Sequence, residues 1–157
     1  MVVLLSALSI TLLPQSAVAS TYTGTAGIET MEAQVLNLIN NHRKQNGLPV
    51  LKAHSKLNVA AHNHSLDMAK RGYFSHTNLS GKSPFDRMRA AGYSCGTMGE
   101  NIAAGQRTAQ QVFDGWKKSA GHNKNMLNRN YKSIGIGLVH MPGSKYGYYW
   151  TTNFGGC

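Results

Sequence analysis

Ser133-Ile134-Gly135-Ile136-Gly137-Leu138-Val139 and, past a Pro142-Gly143 turn, Tyr148-Tyr149-Trp150-Thr151-Thr152-Asn153-Phe154 decide the fold class. Ile134, Ile136 and Leu138 alternate with smaller residues, and Tyr148, Trp150, Thr152 and Phe154 repeat the pattern. That is the two-residue period of a strand, and the turn joins the runs as an antiparallel hairpin. Upstream the period is helical. From Glu29 to about Gln45, Met31, Val35, Leu38 and Ile39 share one face, and Asn46-Gly47 with Pro49 stops the helix. Ser55 reads as the cap of a second helix running to Arg71, with Leu57, Ala61, His64 and Met68 on one face and Gly72 as terminator. Ser83-Pro84 opens a third helix, Asp86 completes a capping box, and Gly92 closes it. Thr108 with Gln111 opens a fourth, which buries Val112, Phe113 and Trp116. Helices first and strands last, with no βαβ repeat, predict an α+β domain with helices packed on an antiparallel sheet.

The N-terminal residues belong to a different category. Val2 to Leu13 is apolar and uncharged, ends at Pro14, and leads to Ala17-Val18-Ala19, a small-x-small cleavage pattern. Residues 1–19 are therefore expected to be a signal peptide, an uncleaved anchor being the alternative, and the protein to be secreted. Residues 20–28, rich in Ser, Thr and Gly, read as a flexible leader, and 29–157 as a single domain.

Sixteen Lys and Arg stand against six Asp and Glu, a formal net charge of +10. Such a surface suits an anionic membrane surface or an acidic wall polymer. Nucleic acid is not the expected partner, because the basic residues never exceed two in a row and no aromatics interleave with them. Cys95 and Cys157 are an even pair in a chain expected to be exported, which argues for one disulfide. Closing so long a loop stabilises by roughly 3–4 kcal/mol in the chain-entropy model. Asn63-His64-Ser65 and Asn78-Leu79-Ser80 would be acceptor sequons for glycosylation in a eukaryotic source, Asn78 being the more turn-like.

No strong local catalytic signature is present. Three segments each place one titratable residue among helix breakers: Gly72 to His76, Gly99 to Ala103, and Ser119 to Leu127. They present His76, Glu100 and His122 from loop positions able to converge on a cleft. Two imidazoles and a carboxylate suit Zn²⁺ or another divalent cation such as Mg²⁺, and they also suit acid–base chemistry. Hydrogen-bonded structural residues at a loop junction would look the same. Ser119, three residues before His122, is a candidate nucleophile without an oxyanion motif, or a capping serine. His64 reads as a core histidine that supports a neighbouring group, and the tyrosines from Tyr146 with Trp150 read as sheet packing.

The same segments resemble the signature stretches of the CAP superfamily: cysteine-rich secretory proteins, antigen five and pathogenesis-related proteins of class one. The resemblance runs from about Met31 to Phe154. It is carried by Ala61 to Met68, Phe74-Ser75-His76, Gly99 to Ala103, Gly121-His122 with Asn125-Met126-Leu127, Ile134 to Gly137 and Tyr149 to Phe154, in the compact microbial style. It implies a three-layer α-β-α sandwich and a central cleft with two histidines and two acids, which in some members holds a divalent cation. His76, His122 and Glu100 match three of the four. The second acid falls in Lys117-Lys118-Ser119, where no carboxylate exists and Ser119 is the nearest substitute. The six-cysteine pattern and the additional C-terminal signature of larger members are also missing. The family implies a secreted lipid- or sterol-binding or environment-interaction module. A protease-like hydrolase using the same cleft of His76, Glu100 and His122, with Glu100, His122 and Ser119 as catalytic candidates, or a basic wall-associated protein, is the alternative, and no organic cofactor is expected.

Overall fold

The computed structural model describes residues 19–157, with side chains from residue 27. The proposed signal peptide, except for Ala19, lies outside the described residues. In chain order the elements are α1 (Ala19–Gln45), β1 (Lys52–Ala53), α2 (Ser55–Arg71), α3 (Pro84–Ala90), β2 (Met98–Ala104), α4 (Ala109–Lys118), α5 (Ala120–Met126), β3 (Ser133–His140) and β4 (Tyr148–Gly155).

The C-terminal hairpin forms as its alternation predicts, with Ile134 opposite Phe154, Ile136 opposite Thr152 and Leu138 opposite Trp150. The sheet order is β1-β3-β4-β2. β2 is antiparallel to β4, but β1 is parallel to β3, so the sheet is mixed rather than purely antiparallel. β2 is a larger departure from the sequence reading. Met-Gly-Glu-Asn-Ile-Ala-Ala carries no alternation, because both faces of this strand are covered: the five residues from Gly99 to Ala103 are all buried. Glu100 thus comes from a strand, not from a loop.

Each face of the sheet carries its own helices. Ile134, Ile136, Leu138, Trp150 and Phe154 point toward α1 and α4, where Val35, Ile39, Val112, Phe113 and Trp116 complete the main core. The opposite parity faces α2. There Gly135 and Gly137 sit directly under the helix: a Cβ on Gly135 would overlap the backbone at Leu57 and Asn58, and one on Gly137 the backbone at Ala61 and His62. The alternation of isoleucine with glycine therefore makes one face bulky and lets the other receive a helix at backbone contact. Ile102, Val139 and Tyr149 close that layer against Met68 and Ala69. The result is an α-β-α sandwich.

β1 ends after two residues, which leaves the outer edge of β3 uncovered. Two side chains cap it: Ile136 N–H donates to Asn58 Oδ1 (3.1 Å) and Leu138 N–H to Glu32 Oε1 (2.6 Å). Burial pushes the Glu32 carboxyl pKa up. The turns after α1 and α5 are held by Arg43, which is fully buried. Its guanidinium donates to the carbonyls of Pro49, Met126, Asn128 and Tyr131 at 2.8–3.3 Å.

Several boundaries differ from expectation. Residues 20–28, read as a flexible leader, belong to α1 as helix, and Ile28 packs against the main core. Ser55 is the first residue of α2 and not its cap; His54 holds the extended N-cap conformation without a side-chain bond. The Ser83–Asp86 capping box is present in full. At Thr108 only half of the expected box forms: Thr108 Oγ1 accepts from Gln111 N–H, while the Gln111 side chain accepts from Arg107 N–H. The Cys95–Cys157 disulfide is formed, across 62 residues of sequence.

Candidate functional site

The cleft is assembled on the α2 side of the sheet at β2. Strand parity turns Glu100 toward α2, and its side chain is only 2% exposed. Three neighbours satisfy it. His76 Nδ1–H donates to Oε1 at 2.8 Å and Arg87 Nη2 donates to Oε2 at 2.7 Å. The Asn153 amide, oriented so that both its ends are satisfied, donates to Oε2 at 3.2 Å and accepts from Ala61 N–H. Because a carboxylate only accepts, the bond fixes the proton of a neutral His76 ring on Nδ1 and leaves Nε2 free. That ring is half-exposed.

Arg87 is the member of this cluster that sequence reading missed. It projects from α3, started by the Ser83 box and by Pro84, and its other amino group donates to the carbonyls of His76 and Lys82 at 2.7 and 2.9 Å. One guanidinium thus fixes both the Glu100 charge and the loop that carries His76. His64 holds the same loop from the other side: its Nε2–H donates to Ser75 O at 2.9 Å. The ring is fully buried, and burial pulls its pKa down, outweighing the Glu100 charge. His62, two positions away, is exposed.

His122 comes from α5, a seven-residue helix too short for periodicity to reveal. Two asparagines tie that helix to β2. Asn125 donates to Glu100 O and Asn101 Oδ1 (3.1 and 2.8 Å), and Asn101 donates to His122 O (3.1 Å). Partial burial lowers the His122 pKa, and the His76 charge adds to the shift. Ser119 ends α4 and begins α5, and its hydroxyl makes no capping bond, so the capping role expected for it is not seen. Asn63 is exposed on α2, and Asn78 lies in a turn where its Oδ1 accepts from Ser80 and Lys82 N–H.

A cavity of about 430 Å³ opens beside His122. Its walls are Phe74, Ile102, Ala103, Val112, Trp116 and Tyr146, with Ser119 at its margin. The exposed Phe74 and Tyr146 rings meet edge-on at 6.0 Å, and Lys145 lies 5.1 Å from the Tyr146 ring centre. Tyr149 and Trp150 are fully buried sheet-packing residues, as expected. Tyr146 instead belongs to the cavity rim.

His76, Glu100 and His122 do not close as a metal set. Among the described residues no three His, Cys, Asp or Glu side chains converge as a cation requires. Both Glu100 oxygens are already engaged, one of them by a guanidinium. As arranged, these residues do not fit a resident Zn²⁺ or Mg²⁺, and no step below runs through one.

The geometry and the sequence comparisons agree on the class: the chain belongs to the cysteine-rich secretory protein (CAP) family, whose profile matches residues 36–154. It is 38% identical over 135 residues to YkwD of Bacillus subtilis (strain 168), covering 86% of this chain and 51% of that protein. An extracellular SCP-domain protein from Bacillus anthracis shares the fold at 30% identity and a TM-score of 0.72, over 80% of this chain and 40% of that one. An outer surface protein of Borrelia burgdorferi superposes at a TM-score of 0.70 and 22% identity, over 76% and 87% of the two chains, a likeness of fold alone. The chain spans about half the length of YkwD, and this domain type occurs in its relatives alongside further sequence. No helix among the described residues is long and apolar enough to cross a membrane.

Proposed function

We propose that this protein is an exported binding module that takes a lipid or sterol in the cavity beside His122. The observation that carries this reading is the cavity itself. Seven of its lining side chains are apolar or aromatic, Gln106, Ser119 and His122 are polar, and about 430 Å³ lies within the roughly 300–1,000 Å³ range of small-molecule sites. The His122 imidazole, whose pKa burial lowers, suits the hydroxyl or carboxyl head of an amphiphile. The His76–Glu100–Arg87 cluster then serves to hold the mouth of the cleft in shape.

One observation favours a hydrolase as second reading: Glu100 orients the His76 ring as carboxylates orient catalytic imidazoles. Against it, Glu100 is held by Arg87, and Ser119 has no hydrogen bond to either histidine.

Gly115 lines the cavity, and a Cβ there meets nothing within 4 Å. Gly115→Phe has room at Cβ and should place its ring in the cavity. Equilibrium titration with a sterol and fatty-acid panel should show saturable binding to the native protein, unchanged by chelator, and at least tenfold weaker in Gly115→Phe. Equal binding by both proteins would remove the cavity from the account. No binding to either, with turnover of an ester or peptide panel lost in Glu100→Gln, would put the hydrolase in front.

A further inference from the structure

A second concave site lies at the sheet edge, where the turn after α1, strand β1 and the α5–β3 loop meet. It encloses about 340 Å³ and is walled by Pro49, Val50, Lys52, Arg129, Tyr131 and Lys132. None of its lining side chains is acidic; Ser133 and the main-chain end of Cys157 complete the wall. Lys52, Arg129 and Lys132 are all exposed, and among the described residues none of the three side chains has an ion pair, hydrogen bond or ring contact. The backbone beneath them is fixed: Lys52 N–H donates to Lys132 O, and Lys132 N–H to Gly155 O.

A fourth cation lies directly behind this wall. Arg43 Nε donates to Pro49 O at 2.8 Å and Nη2 to Tyr131 O at 3.3 Å, both carbonyls of wall residues. The side chain is fully buried, its acceptors are neutral carbonyls, and it forms no ion pair among the described residues. Buried charges are ordinarily paired, because desolvating an unpaired one is expensive. Among the described residues no Asp or Glu side chain pairs with it, and three further cations line the neighbouring cleft.

We propose that this cleft binds a linear polyol-phosphate polymer, with successive phosphates held by Arg129 and by Lys52 and Lys132. A phosphodiester keeps its charge across the physiological range, and its oxygens accept from a guanidinium fork and an ammonium together. A repeating anion engages three spread cations at once and gains from their number. A bilayer surface fits less well. The site is concave, and Val50 is the one exposed large apolar side chain on its wall, whereas membrane docking needs an apolar face.

The test uses a fluorescently labelled glycerol-phosphate polymer, titrated with the disulfide-bonded protein and followed by anisotropy. Lys52→Ala/Arg129→Ala/Lys132→Ala should bind at least tenfold more weakly. Lys70→Ala/Lys117→Ala/Lys118→Ala removes the same charge from exposed residues outside the cleft and should lose less than threefold. Matching melting temperatures would show both triples folded, and millimolar inorganic phosphate should not displace the polymer. Equal losses in the two triples would reduce the effect to net charge and overturn the proposal. So would retention on phosphatidylglycerol vesicles that depends on the cleft triple while polymer binding does not. The cleft shares no lining residue with the cavity beside His122, so failure here leaves the lipid reading standing.

Discussion

At Glu100 a single carboxylate meets an imidazole, a guanidinium and an amide, and its environment decides what it can do. Removing Arg87 would leave that buried carboxylate without its cation. Breaking a buried pair from one side typically costs about 3–5 kcal/mol. Arg87→Met should approach that loss in urea denaturation, and Arg87→Met/Glu100→Gln should recover part of it, because the second change removes the stranded charge. A native-like Arg87→Met would show the pair to be incidental. His64 makes a pH prediction. Its folded pKa is depressed by burial, so below the usual histidine value of about 6.5 the unfolded chain binds the extra proton and stability falls with pH. One proton contributes a slope of at most about 1.4 kcal/mol per pH unit. His64→Gln should flatten the decline between pH 7 and 5.5, and an unchanged slope would contradict the assignment. Glu32, raised by burial, acts with opposite sign just above pH 4.5, so the comparison of the two proteins isolates His64. His76, Glu100 and His122 were legible through motifs. Arg87 was not, because only the packing of α3 against β2 brings it to Glu100.

Among the elements, those with a period were legible and those without were not. The hairpin alternates, α1, α2 and α4 carry apolar stripes and α3 carries cap signals, so the sequence locates them to within a few residues, except that α1 begins at Ala19 and not at Glu29. β2 is covered on both faces, β1 has two residues and α5 seven, and none of the three is long enough or one-sided enough to show a period. The candidate site depends on two of these, since β2 carries Glu100 and α5 carries His122. The glycines of β3 show the same rule in reverse: they look like weak strand residues until α2 is laid on them. Gly137→Ala should destabilise by about 2 kcal/mol or more, because overpacking commonly costs 1–3 and the atoms met here are backbone. Thermal unfolding would check it. A neutral Gly137→Ala would mean that α2 rides higher on the sheet than described.

For the molecule as a whole, the sandwich separates two tasks. Helices on one face build the main core, while α2 and α3 on the other hold the His76–Glu100–Arg87 cluster, and the cavity opens where β2, α4 and α5 meet. The layers followed from fold class and family resemblance. The cavity did not, since its walls come from segments scattered between Phe74 and Tyr146. The basic surface was legible as a total, but its concentration at the sheet edge needed the fold.

The central claim is that the cavity beside His122 is where the ligand resides, and mapping backbone amide shifts during titration with a bound sterol or fatty acid tests it most directly. The account predicts that the largest shifts fall on Phe74, Ile102 to Ala104, Val112 to Trp116 and Ser119 to His122. Shifts confined to other surfaces, with those residues silent at saturation, would contradict it.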